Sequence, residues 1–528
     1  MWRIGDPQGA EVNKVKYDII PYIRGRLLDI GAGPFKIFPY AISVDNGHHA
    51  AAFGWEYSPG IIADASNMTM LATESFDSVF SSHTLEHLKD TKANLDEWFR
   101  LVKVGGYLVL YLPHKDLYPN IGQPGSNPDH KHDFLPEDII KVMESVGSWD
   151  LVVNQVRDRD LGPGSEMNEY SFLQVYKKTA SGHEHSWKRP KPEKTAVVVR
   201  YGGIGDMIQA SSVLPLLKKD GYHVTFNTTP SGHEVLKNNP NIDAFELQDT
   251  DQVPNHELTS YWDAMKRRFT KFVNLSESVE GTLLAIPGRT VHFWAKEARH
   301  RVCNANYLEV THDIAGVAHD YSQHFYPTEE ELRWAENERK SMGGNLIVCF
   351  SLNGSSVHKS WPYIDQVIAR LLVTFPDVRI VLMGNEMSKV LEAGWENDSR
   401  VFCKSGKWKI RETLSFVQIA DLVIGPETGV MNAVGMEKVG KVCFLSHSSR
   451  ENLTKHWVNT AALEPPPSVP CYPCHMMHYS FDHCRRDEKI GVAECQSAIP
   501  ADVAWAAMLG VLKKTGALDK APPLKKAG

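Results

Sequence analysis

The sequence predicts an α/β protein built from three Rossmann-like, doubly wound domains. Three observations predict it. Short runs rich in Val, Ile and Leu alternate with amphipathic stretches along most of the chain, the pattern of parallel sheets covered by helices. Glycine-rich turns follow such runs directly at Leu27–Pro34 (LLDIGAGP) and Val197–Asp206 (VVVRYGGIGD). The pattern also restarts twice, at Ala196–Arg200 (AVVVR) and Asn345–Ser351 (NLIVCFS).

Composition narrows the class. A chain of 528 residues has room for about three or four domains. With 42% hydrophobic and 23% charged residues, disorder and collagen-like structure are excluded. The longest apolar runs, such as Tyr107–Leu112, fall far short of the ~20 residues of a membrane helix. The opening MWRIGDPQGAEVNK has no apolar segment of the secretory type. A net charge of −7 argues against a nucleic-acid partner. Eight cysteines are too few for a disulfide scaffold, so the expected location is the cytoplasm.

The first domain is expected over residues 1–178. Its strand Leu27–Ile30 runs into a turn where Gly31 and Gly33 let the backbone approach a ligand. Ile42–Asp45 (ISVD) reads as a second strand ending in a carboxylate suited to a ribose. Ile61–Asp64 (IIAD), Ser75–Leu88 (SFDSVFSSHTLEHL) and Gly105–Leu112 continue the series. His83, His87, His114, His130 and His132 fall at or after strand ends, where the mouth of a site would lie. Asp129–Phe134 (DHKHDF) reads as a lid or a solvated loop.

This series resembles class I S-adenosylmethionine-dependent methyltransferases, over roughly residues 15–178. The resemblance implies Asp29, Gly31 and Gly33 around the methionine end of the cofactor, Asp45 on its ribose and Asp64 near its adenine. It places His83 and His87 on the wall facing the substrate. Only 11 residues separate Gly33 from Asp45, so the intervening helix is expected to be one turn or lost. That compressed form is similar to small methyltransferases associated with polysaccharide synthesis.

Residues 179–194 (TASGHEHSWKRPKPEK) are polar, carry two prolines and read as a linker. Two domains follow, expected over 195–335 and 336–515, with 516–528 a frayed tail. In the first, Asp206 opens a helix after the glycine-rich turn and reads either as a helix-initiating carboxylate or as a site residue at the sheet end where doubly wound folds place their sites. In the second, Val348–Pro362 (VCFSLNGSSVHKSWP) carries Lys359, Ile380–Gly384 (IVLMG) ends a strand at Gly384, and Leu422–Val430 (LVIGPETGV) presents Glu427, Thr428 and Gly429 at a helix start.

Together these motifs resemble the heptosyltransferase family of lipopolysaccharide synthesis, glycosyltransferase family nine, with its GT-B fold. The resemblance covers about 195–515. It implies an inverting transfer from a nucleotide-diphosphate sugar to a glycan or lipid-linked acceptor. Asp206 is then the general base, Lys359 a ligand of the donor phosphates, and Gly384 with Glu427–Gly429 part of the donor pocket. Two positions depart from the family: glutamate stands at 427 where aspartate is usual, and Asn432 where histidine is usual.

Cys471, Cys474, Cys484 and Cys495 fall within 25 residues, with His475, His478 and His483 between them. Such a group suits a structural zinc, a disulfide or reduced packing thiols. The leading reading is a sugar methyltransferase fused to a glycosyltransferase, an arrangement that keeps one product near the other site. The alternatives are an enzyme pair acting on another acceptor such as DNA bases, with Lys266–Lys271 (KRRFTK) and Lys296–Arg301 (KEARHR) as phosphate contacts, and a non-catalytic binding protein retaining both folds.

Overall fold

The computed structural model describes residues 11–48, 58–160, 167–182, 185–186, 194–276, 278–279 and 282–520. Most of the expected linker, at 183–184 and 187–193, and the end of the expected tail, at 521–528, lie outside the described residues. The chain forms two compact units: Met1–Glu193 with Gln248–Arg268, and Lys194–Leu247 with Phe269–Gly528.

The first unit contains β1 (Leu27–Ile30), β2 (Ile42–Asp45), β3 (Ile61–Ile62), β4 (Phe76–Ser82), β5 (Val102–Pro113), β6 (Trp149–Arg159) and β7 (Glu169–Lys178). Their order is β3-β2-β1-β4-β5-β7-β6, with β7 antiparallel to both its neighbours. The order therefore switches direction between β1 and β4, the place where doubly wound folds bind their ligands. β1 is buried throughout, as its apolar run requires. Helix Thr91–Leu101 is capped by Asp90, which accepts from the Ala93 amide at 2.9 Å, and it buries Leu95, Trp98 and Phe99 against the sheet. Residues 31–41, between β1 and β2, contain no helix, and Ile37 and Phe38 are buried within this segment. On the far edge, Arg157 of β6 lies between two buried carboxylates. Its guanidinium meets Glu169 at 2.5 Å and Asp18 at 2.8 Å.

One expected boundary differs. Gln248–Arg268 falls inside the domain expected at 195–335, yet it packs with the first unit. Tyr261 buries its ring 6.0 Å from that of Tyr17, Glu257 accepts from Tyr17 and Lys16, both at 2.7 Å, and Gln252 donates to the Tyr40 hydroxyl at 2.7 Å. Long-range polar partners decide this placement, and no local pattern announces them.

The second unit holds two parallel sheets. One has the order β10-β9-β8-β11, from β8 (Thr195–Val199), β9 (His223–Thr228), β10 (Ala244–Leu247) and β11 (Lys271–Asn274). The other has the order β14-β13-β12-β15-β16-β17, from β12 (Leu346–Ser351), β13 (Val378–Met383), β14 (Val401–Cys403), β15 (Leu422–Pro426), β16 (Gly440–Phe444) and β17 (Thr460–Leu463). These sheets and that of the first unit make up the three doubly wound layers expected from the sequence. The charged helix Glu329–Met342 begins with a reciprocal cap between Thr328 and Glu331. Residues 517–520 are not frayed: they form a short helix that buries Ala517 in the core, and Lys520 reaches Asp421 at 3.2 Å.

Candidate functional site

In both units candidate residues lie on the loops after β1, β8 and β12, the strands where the order switches direction. In the first, the β1 loop has Gly31 at φ +70° and Gly33 at φ +52°. A Cβ on Gly31 would come within 2.1 Å of Thr84 Oγ1, so this turn requires glycine twice over. Gly33 faces open space: a Cβ there would meet nothing within 4 Å. The carboxylate of Asp45, at the end of the neighbouring β2, accepts from the Gly33 amide at 3.1 Å and the Gly47 amide at 2.7 Å. It thereby holds the glycine loop as well as standing beside it. Asp64 is exposed after β3 and accepts from the amide and hydroxyl of Ser66, which hold it below the usual carboxylate range.

Asp29 is buried at the end of β1 and accepts from the Ile37 amide at 2.8 Å. Burial pushes its pKa up to about 7, against the pull of that amide and of Lys36. A carboxyl raised in the fold contributes stability that is fully present below its ordinary value and is lost as pH rises towards 7. We expect the wild-type chain to lose ~1.4 kcal/mol per pH unit from this group across that window. An asparagine side chain at this position would still accept from Ile37 without the charge, so Asp29→Asn should flatten the dependence and be the more stable protein at pH 8. Denaturation midpoints at pH 5 and pH 8 check this; a variant that loses ground as pH rises would defeat it.

The histidines divide. His114 accepts from the Asp116 amide at 3.2 Å, and His132 lies 3.2 Å from the Lys89 carbonyl with its ring stacked on Phe134, so both serve the loops that carry them. His83, at φ +48°, lies 3.1 Å from Ser171 Oγ. His83, His87 and His130 surround Glu86, a residue the sequence reading passed over. The signal was present as a carboxylate between two histidines in HTLEHL. The segment 129–134 is tied down rather than solvated, since the amides of Lys131 and His132 donate to the Glu86 carbonyl.

In the second unit, Asp206 sits three residues into helix Ile204–Ala210 and accepts from the Gly203 amide at 2.7 Å. Its other oxygen meets the buried Arg200 guanidinium at 2.7 Å. Lys359 follows β12 and is buried, which lowers its pKa, while the charges of Glu427 and Asp206 act to raise it. The base and the lysine expected to bracket a reacting sugar both belong to the second unit, on segments that follow β8 and β12. Two helix starts meet beside them. A Cβ on Gly429 would come within 2.6 Å of Ile204, and one on Gly205 within 2.9 Å of the Asn432 amide. Asn432 holds this seam, accepting from Gln209 at 3.1 Å and, through its carbonyl, from Gln323.

Glu427 is buried and engaged internally. It accepts from the amides of Ser446 at 2.7 Å and Ser448 at 3.1 Å and pairs with His447. Burial would raise its pKa, but His447, Lys359 and the Ser446 amide outweigh that and hold it low. Thr428 caps helix Gly429–Val434 and lies 3.2 Å from Ser351 Oγ, so it and Gly429 are the partly exposed portion of this turn. Gly384 ends β13 where a Cβ would strike Ser388 at 2.2 Å. The sequence reading also missed His358, whose Nδ1 lies 2.8 Å from Ser446 Oγ and whose ring lies 5.1 Å from that of His447.

Cys471, Cys474, Cys484 and Cys495 line one cavity of about 290 Å³ with His478, all as free thiols. Among the described residues, their sulfurs do not form a group of three within 4.8 Å; Glu86, His87 and His130 do. The basic runs are engaged. Lys266 pairs with Asp263 at 3.0 Å, Lys296 donates to the Pro470 carbonyl and Arg299 to that of Cys474.

Residues 28–110 match the family described as methyltransferase domain. No curated protein matches the chain. Among solved structures, a glycosyl transferase of family 9 from Veillonella parvula is similar at 17% identity and a TM-score of 0.45, covering 62% of this chain and 99% of that one. The E. coli ADP-heptose LPS heptosyltransferase II gives 10% and 0.42, covering 61% and 99%. A SAM-dependent methyltransferase from Thermotoga maritima, a possible histamine N-methyltransferase, gives 18% and 0.24, covering 33% and 91%. No helix among the described residues is long and apolar enough to cross a membrane.

Proposed function

We propose that the chain is a bifunctional glycan-modifying enzyme, an S-adenosylmethionine-dependent sugar O-methyltransferase fused to an inverting glycosyltransferase that uses a nucleotide-diphosphate sugar. The carrying observation is that the helix bearing Asp206 meets the helix start at Gly429, where a Cβ would come within 2.6 Å of Ile204. Asp206, aimed by Arg200, takes the proton of the acceptor hydroxyl as its oxygen attacks the anomeric carbon. The bond from that carbon to the diphosphate breaks on the opposite face, and Lys359 neutralises the departing charge. Asn432, unable to act as a base, ties the two helix starts together instead.

In the first unit, the open face at Gly33 leaves room for a ligand against the β1 loop, which fits the cofactor. S-adenosylmethionine supplies an electrophilic methyl group when bound. Asp45 would hold the ribose hydroxyls while keeping the glycine loop in place, and Asp64 would approach the adenine. The cysteine cavity is proposed as a structural feature of the second unit, lined by reduced thiols.

Calorimetry with the full chain tests the methyl-transfer half. The full chain is needed because Gln248–Arg268 belongs to the first unit. We expect S-adenosylmethionine to bind, and Asp45→Ala to weaken it by roughly 10–100-fold, the worth of a charged hydrogen bond. No heat at millimolar cofactor would remove this half of the reading.

A further inference from the structure

We propose that Glu86, His87 and His130 bind a divalent transition-metal ion at the carboxyl ends of β4 and β5, with His83 available as a further nitrogen ligand. Glu86 carries the argument. It is fully buried, and neither of its carboxylate oxygens has a hydrogen-bond partner. A buried carboxylate without a partner is costly, and such groups are ordinarily paired or bound to metal. What surrounds this one is nitrogen. Glu86 Oε1 lies 3.8 Å from His87 Nε2, 3.9 Å from His130 Nε2 and 3.9 Å from His83 Nδ1.

Ligand atoms of Glu86, His87 and His130 all lie within 4.8 Å of one another. Metal–ligand bonds of about 2.0–2.2 Å place tetrahedral ligands about 3.3 Å apart, so each carboxylate–imidazole distance needs to shorten by only about half an ångström. The loop that supplies His130 is already fixed to the site by the bonds from Lys131 and His132 to the Glu86 carbonyl. Imidazole with one carboxylate selects zinc, manganese, iron or cobalt over magnesium and calcium, which want oxygen. The side chains of His83 and His87 are about one-fifth exposed, so an ion here keeps open positions towards solvent. Resting on the methyltransferase reading, those positions take an oxygen of the acceptor, and the ion lowers the pKa of a bound hydroxyl. The site belongs to the first unit and is separate from the cysteine cavity.

The test uses the full chain carrying Cys471→Ser and Cys474→Ser, stripped with chelator and titrated with Co²⁺ by calorimetry and visible absorption. We expect one equivalent bound, with affinity falling at least 10-fold in Glu86→Gln and in His130→Ala, and no displacement by equimolar Mg²⁺. Unchanged Co²⁺ binding in both variants, no binding at all, or displacement by Mg²⁺ would overturn the proposal. X-ray absorption of zinc-loaded wild type is independent of whether those variants fold: imidazole nitrogen and carboxylate oxygen around zinc support the site, and a shell of sulfur alone overturns it. S-adenosylmethionine titrations separate the two claims. Metal without cofactor affinity removes the methyltransferase reading and leaves the ion site, whereas cofactor affinity without metal removes the ion site alone.

Discussion

Replacing Asp206 by asparagine should lower glycosyl transfer by about 10²–10⁴-fold, the usual worth of a general base. Asparagine has one acceptor oxygen for the two partners of the carboxylate, the Gly203 amide and Arg200, and it loses both the charge and the ability to take a proton. Donor affinity should stay within a few-fold. Lys359→Ala should behave differently, weakening the donor itself, because a buried cation against the diphosphate acts in the ground state as well as in the transition state. Turnover and donor binding measured separately for the two variants check the assignment. A fully active Asp206→Asn chain, or a Lys359→Ala chain with unchanged donor affinity, would sink it.

Arg157→Ala should destabilise the first unit by about 3–5 kcal/mol, the cost of leaving buried charges without their partner. Both carboxylates it meets, Glu169 and Asp18, are buried, and the guanidinium also donates to the Lys14 carbonyl. Removing it leaves Glu169 without its ion-pair partner and Asp18 with only Arg268, 3.9 Å away. The unfolding free energy of this unit, measured by urea denaturation, should fall accordingly, and Arg157→Lys should recover part of the loss because lysine can satisfy one carboxylate. A change below about 1 kcal/mol in Arg157→Ala would show that water or rearrangement replaces the arginine.

Much of the architecture was legible because it depends on local patterns. The runs at Leu27–Ile30, Ala196–Val199 and Leu346–Ser351 are the first strands of the three sheets, and each is largely buried, as its unbroken apolar character demands. The short interval between Gly33 and Asp45 correctly implied the loss of a helix. Glycines at 31 and 205 marked positions where backbone or side chain comes too close for a Cβ. The histidines were harder. Five stood near strand ends, but only the fold separates His114, engaged in its own loop, and His132, at the Lys89 carbonyl, from the three that ring Glu86.

Neighbours a few residues apart suffice to set where strands begin, which turns need glycine, and which carboxylates, lysines and histidines stand at strand ends. All of that could be read from the chain alone. Which of those groups are already engaged emerged only from the packed molecule. Glu427 is held by Ser446–Ser448, Asn432 by Gln209 and Gln323, and Gln248–Arg268 by the first unit, while Glu86 is left buried beside three histidines without a hydrogen bond to its oxygens. Burial and hydrogen-bond satisfaction are set by contacts between residues far apart in the chain, whose free energies no local pattern records.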